Sequence, residues 1–296
     1  MILRVLVTGL VPYDAGKTEF VLNMIDALEQ VGIKPSYFKP VAGHDGWYQY
    51  DTLFYTFDAK LLIGHDAFIV AEKLDMLDKL YLISPLDILT FPVDPVKLHF
   101  SMPSYMEHMS YIGKRVVLMR FTYIFGDKQN YKHLYYICYD TLGKVSSDFE
   151  NVFKEVLDSI KANNSFFIET TTAHVEKLLN TPKIYELIDT YRTYLEETDF
   201  LIIEGYNDVS SPTLGSLDVD YVVVVAPGKA LLYSGERYRM AVKLLSYRGY
   251  PWTIKSSNVV EVVGKPLKIY DIPVKAYSER LRRVFEEIVG FITRED

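Results

Sequence analysis

Cys138 is the only cysteine in 296 residues. A lone thiol forms neither an internal disulfide nor a cysteine-based metal site, so the expected compartment is the reducing cytoplasm. Its surroundings, YYICYD, have the look of a strand, which favours a buried, inert thiol over a nucleophile. There is no apolar run of about eighteen residues, which argues against a membrane span. Nor does the start of the chain show a charged segment, apolar stretch and cleavage site, which argues against a signal peptide. Long runs of like charge are missing and the net charge is −7. A dedicated nucleic-acid binder would show a basic stripe instead. The histidines are scattered without His-x-x-x-His or Glu-x-x-His spacing, which argues against a zinc centre. Ser210 and Ser211 lack His–Asp company, so a serine hydrolase is set aside.

What the chain does have is an ordinary globular balance, 49% hydrophobic and 24% charged, with enough length for a large core. Its 24 tyrosines mark either an aromatic-rich core or a sticky surface, and both readings stay open. No repeat or low-complexity segment is visible. The sequence LRVLVTG predicts a strand, and Phe20, Val21, Met24, Ile25, Leu28 and Val31 fall on one face of a helix from about 17 to 31, stopped by Gly32. KPSYFKPV predicts the next strand, which completes a βαβ unit. Residues 51–90 suggest mainly helix and turn. KRVVLMRFTYIF and YKHLYYICYD flank the turn GDKQN as a hairpin. A helix follows in SSDFENVFKEVLDSIKANN, where Phe149, Val152, Phe153, Val156, Leu157 and Ile160 form one stripe, with Ser146, Ser147 or Asp148 as its cap, and then SFFIE as a short buried strand.

Beyond that, helix is expected over about 173–197 with a break at Pro182, and again over 234–247 and 275–292. DFLIIEG and DYVVVVAPG have the continuous apolar character of doubly covered parallel strands. NVVEVVG and KIYDIP supply at most one or two last strands. The predicted fold is therefore α/β: one open, mostly parallel sheet with helices on both faces, in a single domain spanning 1–296. An insertion at 92–145 carries the hairpin. Ligands on such sheets bind beyond the carboxyl ends of the strands.

The stretch VTGLVPYDAGKTEF places Gly-Lys-Thr directly after a strand and directly before a helix, the context of a phosphate-binding P-loop. Amides at the helix start and the helix dipole favour an anion there. Asp14, Ala15, Gly16, Lys17, Thr18 and Glu19 form the expected nucleotide-binding loop. Lys17 offers charge to the β- and γ-phosphates and Thr18 a hydroxyl to Mg²⁺. The common G-x-x-x-x-G-K-[ST] spacing would put glycine at position 11, which is Val11. The nearest glycine upstream is Gly9, and Pro12 removes an amide, so a plain glycine turn remains the competing reading. Glu204, ending FLIIE, sits where a magnesium-holding carboxylate belongs, although charges often end strands. Lys39 is either a solvated strand end or a second cation facing a phosphoryl group. Asp51 is either a helix cap or a further metal carboxylate. His44 suits a surface loop. Glu169 either precedes a threonine-capped helix or meets a substrate amine.

Taken together, these residues resemble dethiobiotin synthetase and its P-loop relatives. The matching segments are Asp14 with Gly16, Lys17 and Thr18, FKPVAG with Lys39, Asp51, IIEG with Glu204, and VVVVAPGK with Lys229. They span roughly 1–90 and 166–250. The resemblance implies that Thr18, Asp51 and Glu204 hold Mg²⁺, and that Lys17 and Lys39 neutralise phosphoryl charge. It further implies ATP as the cofactor, ligase or hydrolase chemistry on a small carboxylate or carbamate acceptor, and a homodimer with the acceptor site near its interface. The sequence departs from the family in several places. The loop is one residue longer when Gly9 is aligned, Tyr13 replaces a small hydroxyl residue, and Tyr206 crowds the turn after Glu204. The 92–145 insertion has no counterpart, and no Asn-Arg pair follows the late strand. A nucleotide-dependent switch that uses the hairpin as a partner surface is the alternative function. A degenerate fold without nucleotide binding is the third reading.

Overall fold

The computed structural model describes residues 2–161, 164–274, 276 and 278–294. Its strands are β1 (Leu3–Gly9), β2 (Ser36–Phe38), β3 (Val41–Asp45), β4 (Leu86–Thr90), β5 (Val116–Ile124), β6 (Tyr131–Cys138), β7 (Ser165–Thr170), β8 (Phe200–Glu204), β9 (Tyr221–Ala226), β10 (Lys229–Ser234) and β11 (Lys268–Asp271). The fold is α/β, with two mixed sheets and helices on both faces. The chain divides into two compact units. The first comprises Met1–Pro40, Val70–Asp75 and Tyr185–Asp296, and the second Val41–Ile69 and Met76–Ile184.

The first unit carries the strand order β11-β10-β9-β1-β8-β2. β9, β1, β8 and β2 run parallel, while β10 and β11 join antiparallel. Val5, Leu6 and Val7 of β1 and Leu201, Ile202 and Ile203 of β8 are fully buried, as expected of strands covered on both faces. Helix α1 (Lys17–Gln30) follows β1 and buries Phe20, Val21, Met24, Ile25 and Leu28. Each such side chain contributes roughly 1.5–3 kcal/mol of hydrophobic stabilisation. Phe20 meets Phe285 of the helix Ser278–Ile292 with ring centroids 4.9 Å apart. Val31, placed on the apolar face by periodicity, is exposed just past the helix end.

The helix expected over 234–247 forms as Gly235–Leu244, and β10, which was not expected, lies between it and the Gly228 turn (φ 76°), folding back on β9. One expectation for this unit is overturned. NVVEVVG lies not in a strand but in the helix Ser256–Val263, which buries Val259 and Val263. Their spacing is helical, and β-branched residues tolerate a helix when tertiary packing favours it. The terminal helix was expected from 275, and Lys275 and Tyr277 lie outside the described residues.

In the second unit the order is β3-β4-β5-β6-β7. β3 with β4 and β6 with β7 are parallel, while β4 with β5 and β5 with β6 are antiparallel. The β5–β6 hairpin turns at Gly126 (φ 82°) and lies inside this sheet, which begins at Val41, well before the 92–145 stretch read as an insertion. Helices α2 (Asp51–Ala59) and α3 (His65–Lys73) fill most of the segment expected to be helical, but β4 was missed there. The helix Ser147–Ile160 is capped by Ser146, whose Oγ accepts from Phe149 N at 3.4 Å. It packs Phe153, Val156 and Ile160 against Tyr135, Ile137 and Val117. SFFIE does form β7, but as an edge strand whose Phe166, Phe167 and Ile168 are exposed rather than buried.

Candidate functional site

The topology of the first unit explains how distant residues meet. In the parallel register Val7 stands opposite Glu204 and Phe38 opposite Ile203. The loop after Gly9, the end of β8 and the residue after β2 therefore share one carboxyl edge. Side chains alternate along a strand, so Tyr37 and Lys39 project to the same side, and both reach Glu204. Lys39 Nζ lies 2.7 Å from Glu204 Oε1, and Tyr37 donates its hydroxyl to Oε2 at 2.8 Å. Thr18, in the first turn of α1, donates to Oε1 at 3.2 Å. Glu204 is fully buried and Lys39 is 2% exposed.

Gly16 takes the left-handed conformation (φ 84°) at the N-cap of α1, a position that favours glycine. Asp14 is also left-handed, at φ 50°. The first intrahelical bond runs from Phe20 N to Gly16 O at 2.9 Å, and the amides before it are those a helix leaves to outside partners. Lys17 is buried and folds back to donate to Asn207 O at 2.9 Å. A Cβ added at Gly9 would fall 3.1 Å from Lys17 Nζ and 2.9 Å from Asn207 O. Gly9 thus serves the loop by close approach, although it is displaced from the common spacing. Ala15 is buried, and Glu19 is exposed in the first turn, a favourable place for an acid.

The segment after Glu204 is held firmly. Thr8 and Ser256 both donate to Val209 O, and Ser256 N donates to Asp208 O at 2.7 Å. Tyr206, expected to crowd this turn, directs its hydroxyl to Trp252 O at 3.2 Å. Burial pushes the Tyr206 phenol upward. Ser210 and Ser211 are buried structural hydroxyls that donate to the carbonyls of Pro251 and Thr213. Lys229 is an exposed hairpin residue paired with Asp271.

The metal set expected from the sequence divides. Thr18 and Glu204 meet in the first unit, while Asp51 belongs to the second. Asp51 opens α2 without capping it, and its Oδ2 lies 2.6 Å from His65 Nδ1. His44, assigned to a surface loop, is instead a buried residue of β3, with Nδ1 3.0 Å from Asp87 Oδ1. Asp87 Oδ2 also accepts from Gly64 N at 2.8 Å. Among the described residues, no group of three or more His, Cys, Asp or Glu is gathered to hold a metal. Glu169 is exposed on β7, and Thr171 caps the following helix by accepting from His174 N at 3.3 Å. Cys138 is fully buried, and burial first, then Asp140, pushes its thiol up to about 12. That makes it inert, as its strand context suggests.

No protein-family model, curated protein or solved structure matches the chain. The site therefore stands on its own geometry. Sequence reasoning missed Tyr37 and the Asn207 carbonyl. The alternation in SYFK, which places Tyr37 and Lys39 on one side, was the available signal for Tyr37. Nothing local in the sequence marks a carbonyl as the acceptor for Lys17. Among the described residues, no helix is long and apolar enough to cross a membrane.

Proposed function

We propose that the chain is a Mg²⁺-dependent, ATP-binding enzyme of the P-loop class, resembling dethiobiotin synthetase. It would pass a phosphoryl group to a small carboxylate or carbamate acceptor. One observation carries this reading: Thr18, Lys39 and Tyr37 all donate to Glu204 at the mouth of the loop that opens α1. A plain glycine turn calls for no buried carboxylate. Removing a charge pair from water is expensive, and apolar residues fill such space at least as well. The parallel β9-β1-β8-β2 order, with the loop and α1 directly after β1, supports the P-loop assignment of the fold.

The residues present fit the implied metal. Hydroxyl and carboxylate oxygens suit a hard cation that keeps several waters and takes its other ligands from phosphates. Thr18 and Glu204 would hold it, and the ion would supply positive charge to the phosphates. Lys17 would turn from Asn207 O to the phosphates. Amides at the start of α1 would meet the same oxygens. Lys39 would neutralise charge developing on the transferred group, and Glu204 and Tyr37 would hold its position. The proposal rests on residues of the first unit alone.

Calorimetric titration with ATP, GTP and non-hydrolysable analogues, with and without Mg²⁺, tests the reading. Binding should require Mg²⁺ and vanish in Lys17→Ala with the circular dichroism unchanged. Equal affinity in that variant sinks the proposal. Turnover stimulated by small amines and bicarbonate supports the acceptor class, whereas stimulation only by a macromolecule argues for the nucleotide switch.

A further inference from the structure

The edge of the second unit's sheet carries an inference that does not depend on the nucleotide site. Among the described residues β7 pairs with β6 on one side only and ends the sheet. Phe166, Phe167 and Ile168 are 46%, 37% and 37% exposed. Natural edge strands are ordinarily shortened, covered or charged to prevent pairing. At the edge of the other sheet, β11 is four residues long and guarded by the pairs Lys229–Asp271 and Lys268–Glu287. The centre of β7, Phe166–Phe167–Ile168, carries no charged residue of its own.

We propose that β7 is the seam of a homodimer, two copies pairing antiparallel along Ser165–Thr170. The backbone sets the register. His133 N donates to Asn164 O at 3.0 Å. In a parallel ladder this turns the amides and carbonyls of the even-numbered residues toward β6, and those of Ser165, Phe167 and Glu169 outward. A two-fold axis through Phe167 then matches Phe167 with Phe167 and Ser165 with Glu169 of the second copy. Each pair exchanges both backbone bonds. Phe166 stands opposite Ile168 between them, so the centre is apolar.

The charges agree with that direction. The first end of β7 is basic: Lys132 Nζ lies 4.8 Å from the Phe166 ring centroid, and Lys161 lines the same groove as Ser165. Lys161, at the C-cap of the helix Ser147–Ile160, pairs with the exposed Asp158 at 2.5 Å. The other end is acidic: it carries Glu169, then Asp140, which accepts from Thr172 N at 3.0 Å. Antiparallel pairing sets each basic end against an acidic one and brings Glu169 of the second copy beside Lys161. A second copy meets all three demands: backbone bonds, apolar centre and reversed charge.

Sedimentation velocity of the full chain over a concentration series tests this. The expected species has twice the 34.2 kDa chain mass. Phe167→Pro removes an outward N–H while sparing the β6 ladder, and should give monomer with unchanged circular dichroism. Should that variant misfold, Glu169→Lys alters only an exposed side chain. It should weaken the dimer about tenfold by setting Lys161 against a like charge, and Lys161→Glu added to it should restore association. A monomeric wild type at every concentration overturns the proposal, including one whose β7 takes up an extended peptide instead. So does a dimer indifferent to these variants.

Discussion

Lys39 Nζ lies 2.7 Å from Glu204 Oε1, with the lysine 2% exposed and the glutamate fully buried. The two residues are 165 positions apart and meet because β2 and β8 are parallel neighbours. Such a pair stabilises little against apolar replacements, yet it is costly to break from one side. Lys39→Met should therefore lower unfolding free energy by about 3 kcal/mol, read by urea denaturation. The double variant Lys39→Met/Glu204→Gln should recover most of that loss. Simple additivity of the two single losses would show that the pair is not coupled.

Tyr37 donates to the other oxygen of the same carboxylate at 2.8 Å. Tyr37→Phe keeps the ring and deletes a bond to a charged acceptor, so it should cost about 1.5–3 kcal/mol in the same assay. An undiminished unfolding midpoint would mean that the hydroxyl is dispensable there.

Gly9 is a close-approach glycine within the candidate site. A Cβ there would lie 2.9 Å from Asn207 O, a backbone atom that cannot swing aside, and 3.1 Å from Lys17 Nζ. Gly9→Ala should displace Lys17 and reduce ATP affinity by roughly tenfold, together with a stability loss of about 1–3 kcal/mol from overpacking. Wild-type affinity by calorimetry would free Gly9 of any part in the loop.

His133 gives the second unit a pH dependence. Burial, and then the neighbouring Arg120, pull its imidazole from 6.5 down to about 3. The folded state thus binds the proton less readily than the unfolded chain. The stability this group permits is complete above the unfolded value and is lost as pH falls from 6.5 toward about 3. Unfolding free energy should decline across that window with a slope approaching about 1.4 kcal/mol per pH unit. His133→Asn should flatten the decline, and identical slopes in the two proteins would refute the assignment.

Arg120 shows why the second unit was hard to foresee. It is fully buried, and desolvation lowers its affinity for the proton. Its donors are satisfied by Leu62 O at 2.9 Å, Thr122 Oγ1 at 2.6 Å and Ser84 O at 2.5 Å. VVLMRFTY alone does not say that the arginine turns inward, because two of its three acceptors, the carbonyls of Leu62 and Ser84, come from other segments. LDILT was passed over as a strand for a related reason: its burial depends on β3 and β5 flanking it. SFFIE reads as buried because its side chains are apolar, whereas a strand's position in the sheet, and not its composition, decides how much of it is covered.

What sequence alone determined was local: the strand LRVLVTG, the helix after Gly16, the hairpin around Gly126 and a side-chain cap within Ser146–Asp148. Periodicity, glycine's access to positive φ and side-chain capping all act within a few residues. It also named Lys17, Thr18, Lys39 and Glu204, because charges at the ends of apolar runs are visible in one dimension. Only the tertiary structure decided that Thr18, Tyr37 and Lys39 share one carboxylate, that Asp51 pairs with His65 in the second unit, and that β7 lies at an edge. Those outcomes depend on which strands become neighbours, and that choice is made by burial and hydrogen bonding over the whole chain.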